Sequence, residues 1–307
     1  MIKKPCKPSK ELQALRILNK RMNLNVHDQQ YYYGLEKGHE GEKIMNQWLL
    51  QLQQDAIIIN DLMIEQQHSF FQIDILVLTH GQAHLFEVKH FEGDYYVKDN
   101  RFYLMNDREV KNPFHQLQRS EALIRDTFQK IHLSLPIKAQ VAYTNPSFSL
   151  YHACPDFPLL LPGQIKRFIQ KWNNEPFAPL PDYYHSAAEK LLKLNWEYSP
   201  YTRLPDYDYH SLKKGITCPA CSSWMLERKN KLVCSKCGCT EDRRNGILRS
   251  AEEFNVLFPR EKITTNGIHH WCGLQSSTKN VSRVLLSHYQ RFGKGKGSYY
   301  QAPPVGL

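Results

Sequence analysis

Two acidic residues and a lysine lie in neighbouring apolar segments of this 307-residue chain. Glu87 and Lys89 are separated by Val88 alone, so in a β-strand their side chains point to the same face. The preceding segment is also apolar and contains a single acidic residue, Asp74. An isolated Glu-x-Lys is most often a surface ion pair, so the interpretation of Glu87 and Lys89 depends on the segment that contains Asp74.

The residues between the two acids predict a β-hairpin that brings their carboxylates together. His80–Gly81 would form a two-residue loop, in which the glycine permits a positive φ. Thr79 then pairs with Gln82, and counting outwards places Asp74 opposite Glu87. Opposed residues have Cβ atoms about 4.5 to 5.5 Å apart, and two like charges there are destabilising unless a cation or a proton lies between them.

The residue types favour Mg²⁺ as that cation. Mg²⁺ binds carboxylate oxygens in octahedral geometry, keeps several waters and bridges to phosphate. Mn²⁺ fits the same oxygen ligands, whereas zinc and copper prefer nitrogen or sulfur. The Lys89 ammonium could orient or help to deprotonate an attacking water and offset charge that develops on phosphorus-bound oxygens. The pattern therefore predicts metal-dependent hydrolysis of phosphodiester bonds.

These residues resemble the core of the PD-(D/E)xK nucleases, in which an acid on one strand and an E-x-K on the next bind the metal. The segment "GLEKGHEGEKIMNQWL" looks like the glycine-glutamate signature of the nuclease-related domain (NERD) branch, and "NPFHQLQRSEALI" is similar to its asparagine-proline and glutamine segment. The resemblance implies that Glu42 assists at the metal and that Gln116 joins the catalytic residues. The resemblance covers roughly residues 34–145. It lacks the proline that gives the superfamily the P of its name, because Ile73 precedes Asp74.

Glu42 and Gln116 each have a simpler interpretation. Glu42 would begin an amphipathic helix, and an acid in a first turn is favoured by the helix dipole alone. Gln116 lies on a predicted helix that ends near Lys130, where a solvated glutamine is common. Beside the other motifs we favour the metal role for Glu42, and both interpretations of Gln116 stay open.

The resemblance also implies an α/β fold, a restriction-endonuclease-like mixed sheet flanked by helices. Five segments are predicted from composition and motifs. They are an N-terminal amphipathic helix capped by Ser9 (1–30), a nuclease-like domain (31–172), a Pro/Tyr-rich connector (173–214), a zinc ribbon (215–242) and a basic helical region (243–307).

Four of the eight cysteines form two C-x-x-C pairs separated by twelve residues. Two tight turns on a short hairpin would present their thiolates tetrahedrally to one Zn²⁺. Because four cysteines close the coordination shell, this zinc would be structural rather than catalytic. The module resembles a zinc ribbon, which can serve nucleic-acid binding, scaffolding or protein binding. The predicted ligands are Cys218, Cys221, Cys234 and Cys237.

The charged residues in the last part of the chain are all basic. No acidic residue follows Glu261, whereas six lysines and arginines do, within a net charge of +10. Helical apolar spacing followed by "FGKGKGSYY" favours a winged-helix arrangement that contacts phosphates of nucleic acid. The alternative is a solvated basic helix with a frayed tail. The predicted contacts are Lys279, Arg283, Arg291, Lys294 and Lys296.

Composition bounds the remaining possibilities. Hydrophobic residues make up 41% of the chain and charged residues 23%, which is ordinary for a globular protein. No apolar run approaches the roughly 18 residues of a membrane span, and the basic N-terminal segment is no secretory signal, so we expect a cytoplasmic protein without a membrane partner. Two rivals to a nuclease stay open: a non-catalytic DNA-binding or regulatory protein, and a zinc-ribbon adaptor for another protein. The sequence does not distinguish DNA from RNA as the substrate, and it specifies no protein partner.

Overall fold

A computed structural model describes residues 1–66, 68–176, 178–197, 199 and 201–301. By their internal contacts the residues of the chain form two compact units. Unit 1 contains Met1–Pro8 and Tyr33–Tyr201, and unit 2 contains Ser9–Tyr32 and Thr202–Leu307. The boundary after Tyr201 lies inside the segment predicted as a connector. The other predicted boundaries stay predictions.

Unit 1 is built on a six-stranded mixed sheet, as the predicted α/β class requires. The strands are β1 (Ile2–Lys4), β2 (Ala56–Gln66), β3 (Ser69–Thr79), β4 (Gln82–Lys89), β8 (Ile137–Tyr143) and β10 (Leu159–Leu160), in the order β1-β2-β3-β4-β8-β10. Strands β2, β3 and β4 are antiparallel to one another. The pairs β1 with β2, β4 with β8, and β8 with β10 are parallel.

Helices cover both faces of this sheet, which explains why its central strands are apolar on both sides. Unit 1 contains α2 from residue 33 onwards (whole helix Val26–Leu49), α3 (Pro113–Lys130), α4 (Pro162–Asn173) and α5 (Asp182–Lys193). Alternate strand residues such as Ile57 and Leu76 pack with α3 and α5. Their neighbours Ile58 and Ile75 pack with α2 and α4.

A second, four-stranded sheet of unit 1 was not predicted. Its strands are β5 (Gly93–Lys98), β6 (Arg101–Leu104), β7 (Glu109–Val110) and β9 (Phe148–Tyr151), in the order β7-β6-β5-β9. Strand β5 pairs in parallel with β9 and antiparallel with β6. Strands β5, β6 and β7 follow the Glu-x-Lys strand and precede α3, so they lie in sequence between two parts of the candidate site.

The N-terminal segment differs from the single amphipathic helix predicted for residues 1–30. Helix α1 covers only Lys10–Arg21, and it begins where predicted because Ser9 Oγ accepts the N–H of Leu12 at 3.1 Å. The residues before it form β1, since Pro5 and Pro8 lack the N–H groups that a helix interior needs. A second helix, α2, already begins at residue 26.

Unit 2 combines a small antiparallel sheet with helices and a terminal hairpin. Its elements are α1, the first residues of α2, β11 (Met225–Arg228), β12 (Lys231–Cys234), β13 (Thr240–Asp242), α6 (Arg243–Leu257), α7 (Thr265–Trp271), α8 (Thr278–Leu286), β14 (Gln290–Phe292) and β15 (Tyr299–Gln301). Three helices followed by a two-stranded hairpin give the winged-helix-like arrangement expected of this region. Within the described ranges, no helix of the chain combines the length and the apolar character needed to cross a bilayer.

A buried ion pair lies at the centre of unit 2. The fully buried Arg21 donates from Nη2 to Glu253 Oε2 at 2.6 Å, and also to the carbonyls of Lys213 and Gly215. Its guanidinium lies 3.9 Å from the ring centre of Trp271. Hydrogen bonds therefore join α1 to α6 inside an apolar core, and the contact of the guanidinium with the Trp271 ring joins α1 to α7.

Candidate functional site

The hairpin of β3 and β4 has the predicted register. Thr79 pairs with Gln82 across the loop, and the paired residues continue to Ile75 and Phe86. Gly81 has φ +80°, the left-handed conformation that the two-residue loop requires.

Asp74 and Glu87 are the next residues along the two strands beyond that ladder. There a side-chain contact follows the backbone pairing, because Asp74 Oδ2 accepts the N–H of Val88 at 2.7 Å. Glu87 is only 1% exposed. The two carboxyl groups are close enough that the charge of Glu87 raises the pKa of Asp74.

Lys89 connects the Glu-x-Lys strand to α3. Its Nζ donates to Glu87 Oε1 at 2.6 Å and to Gln116 Oε1 at 3.1 Å. Gln116 lies in the first turn of α3, whose start is fixed by Asn112, because Asn112 Oδ1 accepts the N–H of Phe114 at 2.9 Å. Gln116 is half-buried and its amide contacts Lys89, as a role beside the Glu-x-Lys strand requires.

Burial and charge act together on the two carboxyl groups. Burial raises the pKa of Asp74 well above its ordinary value, and the charges of Glu87 and Glu42 raise it further. Burial also raises the pKa of Glu87, although the ammonium of Lys89 partly offsets the effect. The buried Glu87 and the partly exposed Asp74 and Glu42 thus lie close enough to repel one another, and a cation would relieve the repulsion.

Glu42 is held in this cluster by close packing of α2. A Cβ added at the preceding Gly41 would lie 2.8 Å from His90 Cβ and 2.9 Å from Thr144 Oγ1, so only glycine lets the helix approach the ends of β4 and β8 so closely. The expectation that Glu42 begins a helix is wrong, because α2 starts at Val26 and continues through several glycines. A capping role in a first turn is thereby excluded.

Two residues beside Glu42 were missed by sequence reasoning. His39 Nδ1 lies 3.6 Å from Glu42 Oε2, and Cys6 Sγ lies 4.0 Å from both of these atoms. Burial, and then the charge of Glu42, raise the pKa of the Cys6 thiol to about 11. The spacing of His39 and Glu42, three apart on one helix, was available as a signal. Nothing in the sequence indicated Cys6.

An open depression lies beside Lys89 on the surface of unit 1. Its wall includes Gly34 and Gly38 of α2, and a Cβ at either position would meet nothing within 4 Å. The other lining residues are Lys37, Val88, Lys89, His90, Phe91, Glu92 and Tyr95. The depression thus combines open helix backbone, two lysines and aromatic rings next to the buried carboxylates.

In unit 2 the four predicted zinc ligands come together. The ligand atoms of Cys218, Cys221, Cys234 and Cys237 all lie within 4.8 Å of one another. Sγ atoms of a tetrahedral Zn²⁺ site are roughly 3.8 Å apart, and two of these pairs lie 3.6 and 3.4 Å apart.

Each pair of cysteines is followed by a residue with positive φ, which closes the tight turn around the thiols. These residues are Ser222 (+60°) and Gly238 (+71°). The cluster therefore fits one structural zinc ion, and Cys239 is not part of it.

Four of the five predicted basic contacts are exposed residues of unit 2. Lys279 and Arg283 are one turn apart on α8, while Val281 and Leu285 of the same helix are buried. Arg291 is exposed on β14, and Lys294 is exposed after it. Among the residues that the structure describes, no carboxylate forms an ion pair with these four. The side chain of Lys296 lies outside the described part.

Comparison with known proteins bears on unit 1. Residues 37–144 match the family model of the nuclease-related domain, NERD. No curated protein and no solved structure matches the chain. The matched range contains every predicted catalytic residue, namely Glu42, Asp74, Glu87, Lys89 and Gln116. This range is therefore similar to nuclease-related domains, which confirms that part of the predicted resemblance.

Proposed function

We propose that this chain is a metal-dependent nuclease of the PD-(D/E)xK type that hydrolyses phosphodiester bonds in DNA, in DNA processing or defence. One observation carries the proposal. Lys89 joins the buried Glu87 to Gln116 by hydrogen bonds, and Asp74 lies beside them, bonded to the N–H of Val88 and close enough for the charge of Glu87 to act on it. The similarity of residues 37–144 to nuclease-related domains supports the reaction class.

The donor set fits Mg²⁺ or Mn²⁺. Asp74 and Glu87 offer hard carboxylate oxygens. Burial is the main cause of their raised pKa values, and the charges of neighbouring carboxylates, which a divalent cation would balance, raise them further. Glu42 would contribute a further acid. When bound, the metal supplies Lewis-acid polarisation of a phosphate oxygen and a more acidic water.

Lys89 would position the attacking water. An ammonium group has three N–H donors, and two of them are directed to Glu87 and Gln116. The third can reach a water or a phosphate oxygen in the neighbouring depression, where it offsets negative charge. Gln116 would act as the positioning residue, because its amide oxygen fixes the direction of the Lys89 side chain.

DNA is the proposed partner because unit 2 exposes a basic surface on α8 and the terminal hairpin. Lysines and arginines without ion-pair partners are suited to phosphate contacts. The reduced thiols that the four-cysteine zinc cluster needs favour the cytoplasm as the compartment, in keeping with the rarity of disulfides there.

The test is cleavage of linear, circular and single-stranded DNA with Mg²⁺ or Mn²⁺. We expect Glu87→Gln, which keeps the shape and removes the charge, and Lys89→Ala to abolish cleavage. The matched control is Glu40→Gln, an exposed acid on the same helix as Glu42. Metal-dependent cleavage at the wild-type rate by Glu87→Gln would refute the proposal.

The exposed basic surface favours one second candidate, a DNA-binding or regulatory protein without catalytic activity. It predicts salt-sensitive DNA binding that is the same in wild type, Glu87→Gln and Lys89→Ala, with no cleavage in any of the three. A zinc-ribbon adaptor for another protein predicts binding of a partner that depends little on salt.

A further inference from the structure

Cys6, His39 and Glu42 direct three different ligand atoms to one place in unit 1. The separations are 4.0 Å from Sγ to Nδ1, 4.0 Å from Sγ to Oε2 and 3.6 Å from Nδ1 to Oε2. A tetrahedral zinc ion with one sulfur, one nitrogen and one oxygen ligand holds these atoms roughly 3.3 to 3.6 Å apart. Contraction by a few tenths of an ångström therefore brings all three within bonding distance of a single ion.

A hydrogen-bonded chain fixes the two segments that supply these ligands. The buried Asn46 of α2 donates to Asn60 Oδ1 at 2.7 Å, and Asn60 donates to the carbonyl of Lys4 at 2.9 Å. Lys4 belongs to β1, two residues before Cys6, and Asn46 lies one turn after Glu42. The position of Cys6 against α2 is thus set by the sheet and by polar contacts that do not involve the three ligand side chains.

The geometry distinguishes a metal site from a nucleophilic thiol. In a Cys-His-acid triad the thiol and the acid lie on opposite nitrogens of the imidazole, so that one side receives a proton while the other is oriented. Here Cys6 Sγ and Glu42 Oε2 both lie near the same nitrogen, Nδ1. Three donors that converge on one point are instead the arrangement of metal ligands.

We propose that Cys6, His39 and Glu42 form a second metal site, which takes a borderline transition-metal ion such as Zn²⁺ and leaves one position for water or an anion. The thiolate and imidazole ligands set it apart from the all-oxygen pair Asp74 and Glu87, where Mg²⁺ would bind. Three protein ligands also set it apart from the closed four-cysteine cluster of unit 2.

The site has a consequence for the proposed nuclease, and only this consequence rests on that function. Glu42 would be shared, because its charge also acts on Asp74 and Glu87. A zinc ion on Glu42 would withdraw that acid from the Mg²⁺ ligands, so zinc would regulate cleavage.

The probe is Co²⁺, added to full-length protein that has first received one equivalent of Zn²⁺. The four-thiolate cluster retains zinc, because zinc binds such sites more tightly than cobalt. We expect a further equivalent of Co²⁺ to give a thiolate-to-cobalt charge-transfer band and tetrahedral visible bands. Cys6→Ser should lose the charge-transfer band, and His39→Ala should weaken Co²⁺ binding at least tenfold.

Cys154→Ser, at an exposed cysteine in the same unit, is the matched control and should behave as wild type. The proposal is overturned if wild type shows no thiolate band, or if the band survives in a Cys6→Ser protein with the wild-type circular dichroism spectrum. His39→Ala keeps the thiol, so it tests the site even where Cys6→Ser does not fold. The readout needs no DNA, so absence of cleavage leaves this result unaffected.

Discussion

The Nζ atom of Lys89 lies 3.1 Å from Oε1 of Gln116, and this contact joins the Glu-x-Lys strand to the first turn of α3. Gln116 accepts a hydrogen bond and carries no charge, so its part in the proposed reaction is to orient the ammonium. Loss of the contact should therefore misplace Lys89 while the buried acids stay intact.

We expect Gln116→Leu to lower kcat for DNA cleavage by about 10- to 100-fold, the range caused by misplacement of a catalytic group. KM should change little, because Gln116 contacts Lys89 rather than substrate. Single-turnover cleavage separates the effect on kcat from the effect on KM. Gln118→Leu, at an exposed residue of the same helix, is the control. Equal rates for both variants would show that Gln116 has no positioning role.

The raised pKa values of Asp74 and Glu87 predict how stability depends on pH without metal. Between the ordinary and the raised pKa values the folded state binds more protons than the unfolded state, so the free energy of unfolding falls as pH increases. A tenfold difference in proton affinity corresponds to about 1.4 kcal/mol. Urea unfolding from about pH 4 to pH 8 measures the fall.

Asp74→Asn should flatten this pH dependence relative to wild type, and Mg²⁺ should stabilise wild type most at the alkaline end of the range. The interpretation fails if wild type and Asp74→Asn follow parallel curves. It also fails if Mg²⁺ stabilises both proteins equally, because the variant lacks one of the proposed ligands.

Gly41→Ala tests the close approach of α2 to the strand ends. The new methyl group would clash with His90 and Thr144, and overpacking of this kind costs about 1 to 3 kcal/mol. Gly38→Ala on the same helix meets open space, and it should stabilise the protein by up to about 1 kcal/mol through helix propensity. Urea unfolding should show changes of opposite sign in the free energy of unfolding of the two variants. Equal changes would contradict the packing argument.

The Arg21–Glu253 pair should dominate the stability of unit 2. Removal of one partner, as in Glu253→Leu or Arg21→Met, leaves an uncompensated or unsatisfied buried group and should cost about 3 to 5 kcal/mol. The double variant Arg21→Met with Glu253→Leu should recover much of that loss. Denaturant unfolding of the four proteins closes the double-mutant cycle, and additive losses would argue against coupling.

The basic surface of α8 predicts the salt dependence of DNA binding. Lys279→Ala and Arg283→Ala should each reduce the slope of log K against log salt by about 0.9, the value for one phosphate contact on duplex DNA. Lys166→Ala, at an exposed lysine of α4, is the control. Fluorescence anisotropy at several salt concentrations measures the slopes, and an unchanged slope in both α8 variants would exclude this surface.

Local rules predicted part of the site from sequence. The register that brings Asp74 and Glu87 together follows from a two-residue loop, and the zinc ligands follow from two tight turns, so both depend on residues close in the chain. The start of α2 could not be predicted in this way. Gly34, Gly38 and Gly41 weaken helix propensity, and tertiary packing against the sheet overrides that weakness.

Helix α6 shows the same effect. It begins at Arg243 and includes Gly246, where a Cβ would lie 2.2 Å from a methyl group of Leu232. The position of Cys6 depends on the parallel pairing of β1 with β2, which lies far along the chain. Such pairings leave no local pattern in a single sequence.

The parallel pairing of β4 with β8 has a consequence for the order in which the molecule folds. Ala83 pairs with Ile137 across three strands of the second sheet and α3, whereas Met225 pairs with Cys234 across a short hairpin. Contacts between distant residues form slowly, because the intervening chain must first lose entropy. We therefore expect the cysteine cluster to capture zinc early in folding, and β8 to join the central sheet of unit 1 only in the last steps.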